Sequence, residues 1–217
     1  MSRLKMTPER WVRWGLKPLI WLGLLLPAGL LTIGIVTADL GADPQKTIVH
    51  TTGQWALYSL WLTLAVTPLR RLTGVGALLF TRRLLGLFAF FYTCLHLTSY
   101  ALLYMGLDWL ALQEDLTERP YIIVGFLAFV GLLPLALTST HRQMRRLGKQ
   151  WGRLHRLIYP VAGLVWLHYL WQTKSDLNQP ALFGVLLGLL LAVRIYWYWQ
   201  SRSSDAGLSR QVPAAEK

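Results

Sequence analysis

The sequence predicts an all-α integral membrane protein, a six-transmembrane-helix bundle with both termini cytoplasmic. Three observations predict it. Hydrophobic residues make up 54% of the 217-residue chain and charged residues only 15%, where an ordinary soluble domain carries roughly 25% charged. Six runs of 17 residues or more lack Asp, Glu, Lys and Arg: 18–38, 47–69, 84–105, 120–138, 157–173 and 177–193. If the N-terminus is cytoplasmic, 19 of the 22 Lys and Arg residues fall on the inner side, and only Lys46, Arg119 and Lys174 fall outside. That split is the positive-inside pattern. It also accounts for the formal net charge of +12 without a nucleic-acid partner, whose basic patch would sit on a polar surface. A single Cys excludes a disulfide framework and a Cys-based zinc or iron–sulfur site. So apolar a chain is not disordered.

Along the chain, residues 1–17 set Trp11 and Trp14 among basic residues and read as an interfacial helix on an anionic lipid leaflet. The first apolar run lies too far from the start, and is too long, to read as a cleavable signal. The first four runs are near or above the ~20 residues that cross a bilayer. The fifth reaches that length if His155 and Arg156 sit at the interface, and the sixth if Arg194 snorkels. Residues 18–200 are thus one membrane domain, and the polar end, 201–217, reads as a disordered tail. Seven of ten acids, among them Asp43, Asp108, Asp115 and Glu118, fall outside and read as solvated loop residues, with a bias that fits a partner at the outer face. No G-x-G-x-x-G or P-loop pattern and no clear internal repeat occur.

With the spans nearly free of charge, ionisable residues inside them mark a site. His50 and His141 read as interfacial and solvated. His96 lies inside the third run and His168 inside the fifth. Both spans run from inside to outside, and at 1.5 Å per residue the two imidazoles lie roughly 18 Å and 21 Å along their helices. A matched pair at one depth can supply two axial ligands to a haem iron; hydrogen bonds to neighbouring helices are the alternative use. His155 stands thirteen residues before His168, at the inner mouth, roughly 140° around an ideal helix from it. Pro160 can kink that helix. His155 reads as part of an incomplete second haem site, or as a quinone or flavin site. Arg82 and Arg83 either mark topology or bind an anionic group such as a flavin phosphate. Cys94 reads as a small buried residue, and Tyr100, Tyr104, Trp109, Trp166, Trp171, Trp197 and Trp199 as interfacial aromatics.

Several motifs together resemble a known family. They are LGADP at 40–44, TRRLLGL at 81–87, LHLTSYALL at 95–103, RPY at 119–121, TST at 138–140, LGKQW at 147–151, LH at 154–155 and HYLW at 168–171. They run over nearly the whole chain, and the sequence is similar to the MsrQ (YedZ) family, haem-binding membrane subunits of the bacterial periplasmic protein-methionine-sulfoxide reductase system. The resemblance implies a ferric-reductase-like core in the cell inner membrane. It implies haem b on His96 and His168, one haem with a second possible, and His155 as the third family histidine. It also implies flavin mononucleotide, electrons from the quinol pool, and delivery to the periplasmic molybdopterin subunit MsrP, which reduces methionine sulfoxide. Oxidase-like relatives carry two His pairs. This chain lacks the fourth histidine and any flavin or nicotinamide domain, so the chain is expected to act as an electron-transfer subunit. A quinol-linked cytochrome b or ferric-reductase-like protein with another acceptor, and a non-redox transporter or assembly factor, are the competing readings.

Overall fold

The protein is described by a computed structural model covering residues 7–173 and 176–211, and all regular structure in those residues is helical. Arg3, Lys5, Lys174 and Lys217 of the charge pattern lie outside the described residues. The N-terminal segment enters as a short helix, Pro8–Trp11, and a π-helical turn, Val12–Leu16. These run without a break into α1, Lys17–Val36. Asp43 then caps α2, Pro44–Thr73, by accepting the Lys46 N–H at 3.0 Å, an N-cap of the kind that contributes about 1 kcal/mol. Gly74, in the left-handed region at φ 70°, ends it. A 3₁₀ turn, Gly76–Leu78, leads into α3, Leu79–Leu103. The amphipathic α4, Trp109–Glu118, is capped by Asp108, and α5, Pro120–Leu137, begins on a proline. Two short helices, α6 (His141–Leu147) and α7 (Lys149–Leu154), turn the chain back through Gly148. A 3₁₀ turn at His155–Leu157 opens α8, Ile158–Gln172. The last helix, α9, spans Asn178–Gln211. It carries helix through the first part of the tail expected to be disordered, and residues 212–217 lie outside the described residues.

Four of these stretches are long and apolar enough to cross a membrane: Glu9–Val36, Gly76–Leu103, Pro120–Leu137 and Asn178–Ser201. The other two runs expected to span are α2 and α8. Thirty residues give α2 ample length, but Thr, Ser, His and Gln side chains lower its apolarity, and Thr52, Ser59 and Thr63 are buried against neighbouring helices. α8 has only 15 residues, following a charged turn. Leu19, Leu22, Leu30, Ile33 and Val36 of α1 and Leu182, Val185 and Leu189 of α9 are exposed. Rows of uncovered aliphatic side chains of this kind suit lipid rather than water. The fold is a multi-pass membrane bundle.

The core forms where α2 lies along α3 and α5 lies along α8, the two most extensive helix pairings. Leu57, Leu60, Trp61 and Leu64 of α2 meet Ala89 of α3, Leu132 and Leu135 of α5, Ile158, Val161 and Ala162 of α8, and Leu187 of α9. Two indoles fasten α9 by donating to its first turns: Trp61 Nε1 to the Phe183 carbonyl at 3.1 Å and Trp166 Nε1 to the Pro180 carbonyl at 2.9 Å. Arg194 adds a third tie. Pro68 has no N–H to give the Leu64 carbonyl one turn before it, and Arg194 Nη2 donates to that oxygen instead. Nη1 donates to the Leu190 carbonyl at 2.7 Å, and the guanidinium lies over the Tyr159 ring. Arg194 therefore faces the bundle, half-buried, rather than snorkelling away from it.

Candidate haem-ligand pair

The end of the bundle carrying Asp43, Asp108 and Arg119 is called outer here, and the end carrying Arg70, Arg82 and Arg145 inner. Helices α3 and α8 bring the His96 and His168 rings together in the outer half. Their ring centroids are 6.2 Å apart and their planes 77° from parallel. His96 Nδ1 pairs with the Val49 carbonyl of α2 at 2.9 Å, and His168 Nδ1 with the Tyr121 carbonyl of α5 at 2.7 Å. A carbonyl only accepts, so each Nδ1 carries the proton and each Nε2 keeps its lone pair.

The two histidines are held in the same way. In each case the acceptor carbonyl lies 47 residues earlier. In each case a glycine 43 residues earlier lets the imidazole lie against helix backbone. A Cβ on Gly53 would stand 3.0 Å from His96 Nδ1, and one on Gly125 2.7 Å from His168 Nδ1. The α2–α3 and α5–α8 pairs thus repeat one device, although the sequence shows no clear internal repeat. A glycine at a fixed distance before each histidine is the signal sequence reading missed.

The ring separation fits a haem. An imidazole–metal–imidazole axis with metal–nitrogen bonds of about 2.0–2.1 Å puts the ring centroids roughly 6.4 Å apart. Among the described residues no three His, Cys, Asp or Glu side chains gather into a metal cage. His96 and His168 would hold the iron of a haem, whose macrocycle would supply the remaining donors. Carbonyl partners on Nδ1 fix the tautomer and ring orientation, as backbone carbonyls do in known histidine–metal sites.

The remaining site candidates divide by depth. His155 lies near the inner mouth, away from the facing pair. Its Nδ1 pairs with the Trp151 carbonyl at 3.1 Å, and the Trp151 ring stacks on it with centroids 3.9 Å apart. Trp151 is itself fixed by donating to the Thr138 carbonyl at 3.1 Å. His155 Nε2 is buried with no hydrogen-bond partner. Burial holds this imidazole below the ordinary histidine pKa, so it is neutral at pH 7. Arg82 is half-buried, with its charge close enough to act on both His155 and Arg194. Arg83 is exposed, so the structure separates the two arginines. His50 is exposed and accepts from the Gln172 amide at 3.2 Å.

One acid departs from its expected place. Asp115 is buried, not a solvated loop residue. It accepts the Tyr100 hydroxyl, and Arg119 Nε lies 3.3 Å from its Oδ1 and Nη1 3.4 Å from its Oδ2. Tyr100 therefore serves a buried network rather than a purely interfacial belt. The Asp115 charge holds the Arg119 pKa above its ordinary value.

A membrane helical bundle with a facing histidine pair defines the class of protein. Comparison with known proteins agrees, since residues 52–166 match the family described as ferric reductase like transmembrane component. The chain is 47% identical over 197 residues to the protein-methionine-sulfoxide reductase heme-binding subunit MsrQ of Herminiimonas arsenicoxydans, covering 89% of this chain and 90% of that protein. It is 49% identical over 178 residues to the MsrQ of Xanthomonas campestris pv. campestris strain 8004, and 48% identical over the same length to that of Xanthomonas axonopodis pv. citri strain 306, covering 82% of each chain. No solved structure matches the chain. The chain belongs to the MsrQ family of heme-binding subunits, within the ferric reductase like transmembrane group.

Proposed function

We propose that the chain is a membrane cytochrome b. It takes electrons from the respiratory quinone pool and passes them across the bacterial inner membrane to a periplasmic molybdopterin partner, MsrP, which reduces methionine sulfoxide in envelope proteins. The observation that carries this reading is the 6.2 Å separation of the His96 and His168 rings, each with Nδ1 tied to a carbonyl. Haem b held on that axis would supply one-electron exchange. The chain's own residues orient the two imidazoles, keep both Nε2 lone pairs free and surround them with apolar helices.

The electron count balances between the two partners. A quinol gives up two electrons and two protons, and a sulfoxide takes two of each to become a thioether and water. His155 is the group to meet the quinol side: a neutral imidazole at the inner mouth whose free Nε2 can accept a proton. A second haem on His155, or a flavin mononucleotide held by Arg82, uses the same end of the bundle. The proposed topology has six spans in residues 18–200, α2 and α8 included, with both termini cytoplasmic and residues 1–17 on the anionic leaflet.

The test is optical. Purified protein should show a reducible b-type absorption spectrum, and H96A and H168A should each abolish it. An unchanged spectrum in both variants would sink the site. Reduction of added MsrP by a quinol, dependent on this chain, then tests the electron path. Haem and iron per chain, expected at one each, distinguishes one site from two.

A further inference from the structure

We infer that Arg119 is the outer counter-charge for a haem propionate, held in the cavity between Arg119, Tyr121 and Trp171; this rests on the haem reading above. A b-type haem carries two carboxylates on one edge, ionised at neutral pH. Leaving a charge in hydrocarbon costs several kcal/mol, so that edge turns toward the nearer aqueous face. From the His96–His168 axis that face is the outer one.

A cavity of about 540 Å³ opens there, lined by Glu118, Arg119, Pro120, Tyr121 and Trp171. Tyr121 supplies the carbonyl that orients His168, and its ring is 6.1 Å from the His168 ring. Trp171 stands one turn beyond His168 on α8. The cavity thus lies at the outward edge of the ligand's surroundings. Among the described residues Arg119 is the only cation lining it, and Lys46 is the other on the outer side.

Arg119 is also tethered to both ligand helices. Asp115, which holds its Nε and Nη1, is bonded in turn to Tyr100, one turn beyond His96 on α3. Tyr121, two residues along, holds His168 of α8. Asp115 occupies one edge of the guanidinium. The side chain is still 47% exposed, so other N–H donors of its fork remain for a second carboxylate.

Redox titration of the full-length protein in lipid nanodiscs tests this. Loss of a cation beside a propionate favours the ferric, more positive haem, so R119Q should lower the midpoint. A tenfold change in the ferric-to-ferrous ratio at fixed poise, about 59 mV for a one-electron couple, is the expected size. R119K should recover most of the shift. D115N, which removes the counter-charge from Arg119, should move the midpoint upward. An R119Q midpoint equal to wild type, or R119Q and D115N shifting in the same direction, overturns the inference. If R119Q does not fold, the wild-type chain produced without haem is loaded with haem or with its dimethyl ester. Haem should be retained at least tenfold better, and equal retention overturns the inference. A wild-type chain that gives no b-type spectrum overturns the proposed function instead.

Discussion

His96 and His168 hold the same relationship to their surroundings. Their ring centroids lie 6.2 Å apart, and each Nδ1–H donates to a carbonyl 47 residues earlier on a neighbouring helix. The pairing is built by helix contact alone, without a carboxylate to orient either ring. In an apolar bundle this suits a site that must stay dry, because the backbone carbonyl adds no net charge.

The glycine notches give the first prediction. A methyl group at Gly125 would sit 2.7 Å from His168 Nδ1, and one at Gly53 3.0 Å from His96 Nδ1. Overpacking of this kind costs about 1–3 kcal/mol. G125A should therefore displace its histidine further than G53A does. Haem occupancy is expected to fall about tenfold in G125A, the equivalent of 1.4 kcal/mol, and less in G53A. The haem-to-protein ratio of purified variants measures it, and full occupancy in G125A would show that the notch does not position His168.

Four of the apolar spans were legible because long uncharged runs follow directly from bilayer physics. The facing histidines were legible for a related reason: an imidazole in an apolar run stands out. The notches were not, since Gly53 and Gly125 look like any glycine in a membrane helix until the partner ring is placed. Asp115 was misread because an acid between two spans resembles a solvated loop residue. It is buried because Tyr100 and Arg119 satisfy its oxygens. Arg194, just past the end of its run, looked free to snorkel. Its true partner, the Leu64 carbonyl, is exposed by a proline on another helix, and local sequence cannot show that.

His155 gives the second prediction. It stands apart from the facing pair, with a neutral ring and a buried free Nε2. H155A should keep a dithionite-reducible b-type spectrum from the His96–His168 site. Its reduction by quinol should slow about a hundredfold, the lower end of what a general base supplies. Stopped-flow reduction with a quinol checks both halves. An H155A chain that loses the b-type spectrum altogether would place His155 in the same haem site.

Topology gives the third. If α2 and α8 span along with the four apolar stretches, residues 104–119 face the periplasm and residues 138–156 the cytoplasm. A cysteine placed at Glu114 should react with a membrane-impermeant thiol reagent in intact cells, and one placed at Arg145 only after lysis. Labelling at Arg145 in intact cells would mean that one of the spans is absent.

The last prediction couples Arg194 to Pro68. Pro68 leaves the Leu64 carbonyl of α2 without its helical donor, and Arg194 Nη2 on α9 takes that place. R194M removes the substitute, and a buried acceptor left without a partner costs about 1–3 kcal/mol. P68A returns an N–H that can close the helical bond, so it should offset part of that loss. The double variant P68A/R194M is therefore expected to be about 1 kcal/mol more stable than R194M alone. Its loss relative to wild type should be smaller than the two single losses added together. Thermal unfolding of the four proteins in one detergent measures the coupling. Strict additivity would mean that Arg194 stabilises the bundle through the Tyr159 ring and the Leu190 carbonyl, and that the proline-freed oxygen is satisfied in some other way.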